Sequence, residues 1–276
     1  MKDFLINLDR RIIFIFVAVG VILPALTTFP LPIKPTPNVR AVYDTIEEVA
    51  AQNGTVLISF DYGPGSMPEI QPMTLAVLRH CFSQNVKVVG MCLWPQAVGL
   101  VQQALDTTSK EFGAQYGTDY VFLGFKTGAT SLVINMGRDF HGTFPQDLQG
   151  NTTTDLAVTK NISGLKDFDY VVCLAAGNTP DGVWIPYGQE RYKFKFGIGC
   201  TAVMAPDQFP YLQSGQMNGL IGGLAGAAEY EKLINTAGTA TDGMRPQSVV
   251  HLIIILFILL GNTIYFLYDR KKGGAK

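Results

Sequence analysis

Two long apolar runs, one near each end of the chain, dominate the hydropathy pattern. The first covers residues 12–29 and the second residues 249–268, and neither contains Asp, Glu, Lys or Arg. A bilayer core of ~30 Å needs about 20 apolar residues in a helix, so each run predicts a membrane-spanning helix. The alternatives are a cleaved signal peptide for the first run and a buried core helix for the second. The first run is longer than a signal h-region and no A-x-A-like site follows it, which favours an uncleaved anchor.

Basic residues flank the outer ends of both runs. These are Lys2, Arg10 and Arg11 before the first run, and Arg270, Lys271, Lys272 and Lys276 after the second. Because basic residues resist translocation, the tails at residues 1–11 and 269–276 are predicted to be cytoplasmic. The chain is therefore predicted to be a two-pass protein of the cell (inner) membrane, with residues 38–246 forming a periplasmic or extracellular domain.

Between the two runs, the pattern switches repeatedly between the period of a strand and that of a helix. Four prolines within residues 30–37 predict an extended spacer. Residues 131–136 fit either a strand or a short helix, and residues 137–166 read as polar loops. The remaining predicted helices are at 38–52, 67–84, 96–112 and 211–235, and the predicted strands are at 55–62, 86–94, 119–125, 169–176 and 195–206.

The strand segments are nearly continuous in apolar residues. Strands of this kind are covered on both faces, and helices between them indicate βαβ units with parallel strands. The fold class predicted is therefore α/β, a three-layer Rossmann-like domain with a mostly parallel sheet, flanked by one transmembrane helix at each terminus.

Charge and composition exclude several classes of function. Between Lys34 and Arg245 there are 14 basic and 19 acidic residues, a net charge of −5, which argues against a nucleic-acid partner. None of the four cysteines has metal-ligand spacing, and the chain has only 3 His, so no metal site and no cofactor are predicted. Buried free thiols are favoured, although a disulfide between Cys173 and Cys200 remains an alternative.

Ligands of open parallel sheets bind outside the carboxyl ends of the strands. That rule selects a candidate ligand-binding set in the loops after the predicted strands. For the first of these loops, an ordinary glycine turn with a Ser helix cap is the favoured alternative, and for Lys126 a solvated loop lysine is the favoured alternative. The candidate ligand-binding residues are Asp61, Ser66, Lys126, Asn178 and Asp181.

No catalytic residue is predicted. Ser214 is not in a G-x-S-x-G motif, and Gly63-Pro64-Gly65 matches neither a dinucleotide nor a P-loop fingerprint. A Cys173–His141 dyad is disfavoured because Cys173 falls in the middle of a predicted strand.

A glycine-rich pattern in the predicted 211–235 helix suggests close packing, either on the domain's own sheet or on another subunit. Asn262, a polar residue in the second run, favours a partner helix or the headgroup region. The candidate packing or interface residues are Gly215, Gly219, Gly222, Gly223, Gly226 and Asn262.

Two functions of different class are consistent with these observations. The first is a non-enzymatic structural or interaction subunit of a membrane assembly, whose partners are the lipid bilayer and either other membrane subunits or a second copy. The second is a small-ligand-binding sensor or a hydrolase domain with its site at the carboxyl ends of the strands.

Overall fold

A computed structural model describes residues 9–266 of the protein. The described residues form two compact units, an α/β unit over Ile33–Thr241 and a helical unit made from the two ends of the chain. Residues 1–8 of the predicted N-terminal tail, the predicted C-terminal tail at residues 269–276 and the last two residues of the predicted second span lie outside the described residues.

A six-stranded, all-parallel sheet forms the centre of the α/β unit, in the order β3-β2-β1-β4-β5-β6. The predicted parallel α/β architecture is confirmed. Most strand positions are buried because helices cover both faces. The strands are β1 (Thr55–Asp61), β2 (Lys87–Cys92), β3 (Tyr120–Phe125), β4 (Tyr170–Ala175), β5 (Phe196–Cys200) and β6 (Gly219–Gly222).

Helices cover the two faces of the sheet in separate groups. The first group is α2 (Pro37–Ala51), α3 (Met67–Ser83), α4 (Ala97–Phe112) and α9 (Gly223–Leu233). The second comprises α5 (Ala129–Arg138), α6 (Phe140–Thr143), a π-helix (Pro180–Gln189) and α8 (Ala205–Gln213), while Leu165–Asp167 forms a 3-10 turn and Glu190–Tyr192 the short α7. Residues 131–136, which fitted a strand or a helix, belong to α5.

The predicted long helix over residues 211–235 is wrong. The segment contains the end of α8, the edge strand β6 and α9, so Gly219 and Gly222 lie in a strand and Gly215 lies in a turn at φ 75°. A Cβ at Gly219 would lie 2.5 Å from Cγ2 of Val42, so glycine there lets α2 pack directly on the edge strand. Gly223 begins α9 at φ 59°, and Gly226 of α9 contacts the Ile221 backbone closely. Their spacing of three and four therefore reflects packing within the domain, not one continuous helix.

The helical unit contains α1 (Arg10–Leu26) and α10 (Thr239–Ile264), a helix that starts in the α/β unit. Among the described residues, only α10 has both the length and the apolar composition of a membrane-spanning helix. The 17 residues of α1 extend ~25 Å, which is less than the ~30 Å bilayer core. The first predicted span, residues 12–29, is therefore not confirmed as a membrane-spanning helix. The helix covers Arg10–Leu26 and ends before residue 29 because the backbone is extended from Thr27 onward, where the chain enters the proline-rich segment.

Candidate functional site

The strand order places a topological switch point between β1 and β4. The connections that follow these neighbouring strands leave on opposite faces of the sheet, which opens a crevice at their carboxyl ends. Asp61, the last residue of β1, pairs in register with Ala175, the last residue of β4. The crevice is therefore where a Rossmann-like sheet would hold a ligand.

Asp61 lies inside this crevice, with none of its surface exposed. Its Oδ1 accepts a hydrogen bond from the Leu93 N–H at 2.7 Å, and its Oδ2 accepts from the Ser59 hydroxyl at 2.8 Å and the Cys173 thiol at 3.4 Å. Burial raises the pKa of the Asp61 carboxyl to about 6, and these donors limit the rise by stabilising the ionised form. All the polar contacts of Asp61 are thus made within the protein.

The indole of Trp94, in the loop after β2, packs against the loop after β4. A Cβ at Gly177, in the loop after β4, would lie 2.5 Å from Cζ2 of Trp94. Glycine is therefore required at position 177 for Trp94 to pack there. Because Asp61 also holds the Leu93 amide, the loop after β2 is bound across the end of β1. At the switch point, the Asp61 carboxyl is therefore engaged by groups of the protein itself, and the loops after β2 and β4 are in contact.

Three further predicted residues lie around this crevice. Ser66 occupies the N-cap position of α3, but its hydroxyl donates to the Gly63 carbonyl at 3.2 Å instead of capping the helix. Asn178 is exposed, with its side chain against Gly182. Asp181 is half-buried, and its Oδ1 has no hydrogen-bond partner among the described residues.

Three carboxylates lie near the thiol of Cys200, at the carboxyl end of β5. The pKa of this thiol is raised to about 12, first by burial and then by the negative charges of Glu69, Asp181 and Asp207. The carboxyl end of the sheet near β4 and β5 is therefore acidic, and it does not favour an anionic ligand.

Lys126 lies away from these residues, after β3. Its ammonium group donates to the Thr143 carbonyl and lies 5.3 Å from the centre of the Phe144 ring, so it does not pair with Asp61. The structure thus places Asp61, Ser66, Asn178 and Asp181 at or after the carboxyl ends of β1 and β4, and Lys126 after β3.

A cavity of about 530 Å³ lies beside Lys126, between α5 and α6. Apart from Lys126, its polar lining was not predicted from the sequence. Ser131, Asn135 and Arg138 follow one another at helical spacing and so share one face of α5, which is the signal that could have identified them. The polar lining residues are Lys126, Thr127, Ser131, Asn135, Arg138 and Asp139.

A second buried polar cluster, also missed, joins three helices of the first layer. His80 of α3 is 1% exposed, with Nδ1 2.7 Å from the Tyr230 hydroxyl and Nε2 2.8 Å from Oε1 of Glu47. Burial lowers the pKa of His80, although Glu47 opposes this. A neutral ring with its proton on Nε2 satisfies both contacts, because Nε2–H donates to Glu47 and Nδ1 accepts from Tyr230. With Tyr230 fully buried, this cluster ties α2, α3 and α9 together.

The cysteines are all buried and free, as favoured from the sequence. Burial raises the pKa of the Cys173 thiol well above its ordinary value, and the neighbouring Asp61 raises it further. A neutral, buried thiol is a poor nucleophile. His141 contacts Thr153 instead of Cys173, at 2.9 Å. Over residues 9–266, no group of three His, Cys, Asp or Glu side chains is placed to hold a metal ion.

Comparison with known proteins adds no family to this description. The chain matches no protein-family model, and no curated protein is similar enough in sequence to count as a relative. The function therefore has to be inferred from the residues and their geometry.

Proposed function

We propose that the protein is a non-enzymatic interaction subunit of a membrane assembly, anchored by two antiparallel helices, with its α/β domain on the extracytoplasmic side. The proposed partners are the lipid bilayer and either other membrane subunits or a second copy of the chain. The pairing of α1 with α10 is the observation that supports this proposal.

Three contacts define the pairing of the two helices. The rings of Phe16 and Phe257 lie edge to face with their centres 6.0 Å apart. Gly20 packs so closely on Ile253 that a Cβ there would collide with its side chain. Beyond the end of α1, Arg245 Nε donates to the Phe29 carbonyl at 3.1 Å. Residue numbers fall along α10 as they rise along α1, so the helices run antiparallel, as two successive membrane passes do.

The shortness of α1 is compatible with a second pass. A bilayer adapts to a short apolar helix by local thinning or by movement of flanking residues toward the interface, at a modest free-energy cost per ångström. Most of the exposed large apolar side chains of residues 9–266 lie on α1 and α10. Apolar surface of this extent marks contact with lipid or with another protein.

Two features support an interaction role: the contacts at the switch point and the exposed Asn262 of α10. At the switch point, the Asp61 carboxyl accepts hydrogen bonds from within the protein and Trp94 packs on Gly177, which favours a structural role for these residues. Asn262 is exposed on α10 and makes no side-chain hydrogen bond to another described residue. An amide in the apolar part of a bilayer is stabilised by a partner helix, so this face of α10 is the proposed contact.

The assembly is tested by extraction in a mild detergent and measurement of the native mass. We expect a complex much larger than one 30.1 kDa chain, and we expect Asn262→Leu to reduce its size without unfolding the domain. A wild-type particle containing a single chain would refute the assembly role.

Cysteine cross-linking tests the helix pair in the membrane. Phe16→Cys combined with Phe257→Cys should be linked by a short bifunctional thiol reagent, because the two side chains are in contact. The native cysteines are buried and should not react. The control pair, Phe14→Cys with Phe257→Cys, should not be linked, because residues two apart on a helix do not share a face and it is Phe16 that contacts Phe257. Adding Gly20→Leu should reduce the cross-link, whereas Gly261→Leu, at a glycine with open space around it, should leave it unchanged. Equal cross-linking of both pairs would show that α1 and α10 are not held in this register.

A further inference from the structure

We infer that the cavity between α5 and α6 is a binding site for a small, elongated anion whose charged groups are carboxylates or phosphates. This site is separate from the switch-point crevice and from the membrane anchor. The test of ligand binding is therefore independent of the test of the proposed assembly role. We call it the α5–α6 groove, lined by Lys126, Thr127, Ser131, Asn135, Arg138 and Asp139.

The size and lining of the groove suit a small ligand. Its volume of about 530 Å³ lies within the usual ~300–1,000 Å³ of small-molecule sites. Leu132 supplies an apolar patch in a lining that is otherwise mostly polar. Lys126 precedes the first turn of α5, whose leading N–H groups have no acceptor within the helix. A small anion entering the groove therefore meets donors and a positive charge at that end.

Lys126 is held in place before any ligand arrives. Its ammonium group donates to the Thr143 carbonyl and lies over the Phe144 ring, which is 2% exposed and therefore fixed. The Thr143 hydroxyl in turn donates to the Asp139 carbonyl at 2.7 Å, which fixes the accepting peptide. An ammonium group has three donors, and only one is used here, so two remain for a ligand. Such preorganisation lowers the entropy that binding must overcome.

Arg138 provides the second positive charge, at the end of α5. Its guanidinium makes no ion pair or hydrogen bond with any other described residue, although it can donate five. The one acidic residue of the lining, Asp139, already accepts from the Gly142 N–H at 2.9 Å through Oδ1. Two cations and one partly engaged carboxylate leave the groove with a net positive lining, in a domain that is acidic as a whole.

The length of the groove selects an elongated anion. Ser131 and Arg138 are seven residues apart on one helix, which corresponds to about 10 Å along its axis. The wall is rigid, because the Tyr192 hydroxyl donates to the Ile134 carbonyl at 2.8 Å and its ring packs directly on Gly137. An anion with charged groups at both ends can therefore reach the Lys126 end and the Arg138 end together.

Titration of the full chain in a non-ionic detergent tests this site, with suberate as the carboxylate probe and tripolyphosphate as the phosphate probe, because both are elongated anions with charge at each end. We expect saturable binding of at least one probe, observed by isothermal titration calorimetry. Removing a charge-assisted hydrogen bond typically weakens binding by about tenfold or more. Arg138→Gln and Lys126→Gln should each show a loss of that order, and the control Lys110→Gln, an exposed lysine on α4, should bind like the wild type.

Lys126→Gln also removes the contact with Thr143 and therefore carries a risk of misfolding. Arg138→Gln carries no such risk, because Arg138 has no partner among the described residues, and it keeps the test decisive. The inference is overturned if neither probe binds at about 10 mM, if Arg138→Gln binds like the wild type, or if Lys110→Gln loses as much affinity as Arg138→Gln. Preference for one probe over the other would identify the charged group of the natural ligand.

Discussion

Replacing Asp61 by asparagine should remove one contribution to the pH dependence of the free energy of unfolding of the α/β domain. The carboxyl is fully buried, and burial raises its pKa from the ordinary 3.8 to about 6. The side chain of asparagine has the same shape, can accept the Leu93 N–H, and does not titrate. The substitution therefore removes the ionisation and keeps the Leu93 contact, while the Ser59 hydroxyl rotates to accept from the new amide Nδ2.

The sign follows from proton binding. Between about pH 4 and pH 6 the folded protein keeps the Asp61 proton while the unfolded chain loses it, so the free energy of unfolding falls as pH rises. The stabilisation from the protonated carboxyl is complete below the unfolded pKa and is lost as pH rises through the folded value. A difference of about two pKa units corresponds to about 3 kcal/mol. The stability of Asp61→Asn relative to wild type should thus improve by about that amount from low to neutral pH.

Tryptophan fluorescence can follow this unfolding selectively. Both tryptophans of the protein, Trp94 and Trp184, lie in the α/β domain, and Trp184 is fully buried. Urea titrations of the full chain in detergent, at a series of pH values, give the free energy of unfolding of the wild type and the variant. Taking the difference between the two cancels contributions from other titrating groups.

Asp106→Asn is the control, because it removes an exposed carboxyl on α4 and leaves the crevice intact. Its pH series gives the effect of losing one negative charge from the domain. If the stability difference between Asp61→Asn and wild type were the same at low and neutral pH, burial would not be keeping Asp61 protonated, and the crevice would not be the closed, desolvated site that the raised pKa requires.

Two further substitutions test other buried polar groups. Glu231 is 2% exposed and accepts hydrogen bonds from the N–H groups of Gly238, Ala240 and Thr241 at the start of α10. Glu231→Gln should therefore lower the free energy of unfolding by about 2 kcal/mol in the urea assay. The control Glu48→Gln, at an exposed ion pair, should change it by less than about 1 kcal/mol. Burial lowers the pKa of His80, so the stability that this group contributes is present above its unfolded pKa of about 6.5 and is lost as pH falls through the lower folded value. His80→Gln should remove this loss of unfolding free energy at acid pH. An unchanged loss in the variant would contradict the neutral His80–Glu47 contact.

The sheet was predictable because its signal is local. Each of the five predicted strands is a short, nearly continuous apolar segment next to a helix-period segment, and parallel strands buried on both faces require that pattern. Their order could not be read from the sequence, because it depends on which helices cross which face. The sixth strand was missed since four residues, Gly219–Gly222, are too few and too rich in glycine to show a strand period.

The glycines of this segment also show why spacing alone misled. Spacings of three and four residues fit a helix surface, but Gly219 is required by the close approach of Val42, which lies far away in sequence. A requirement of this kind comes from tertiary packing and leaves no local period.

The predicted ligand-binding residues are split between two places for a similar physical reason. The rule that ligands bind at the carboxyl ends of strands selects loops without regard to charge or free volume. At the carboxyl end of β1, Trp94 packs on Gly177. The Asp61 carboxylate there accepts hydrogen bonds from Leu93, Ser59 and Cys173. After β3, Lys126 is held by backbone and ring, and Arg138 lies at the far end of α5 without a partner among the described residues. The polar chemistry that remains available to an anionic ligand is therefore at the α5–α6 groove, because there two cationic side chains border the same empty volume.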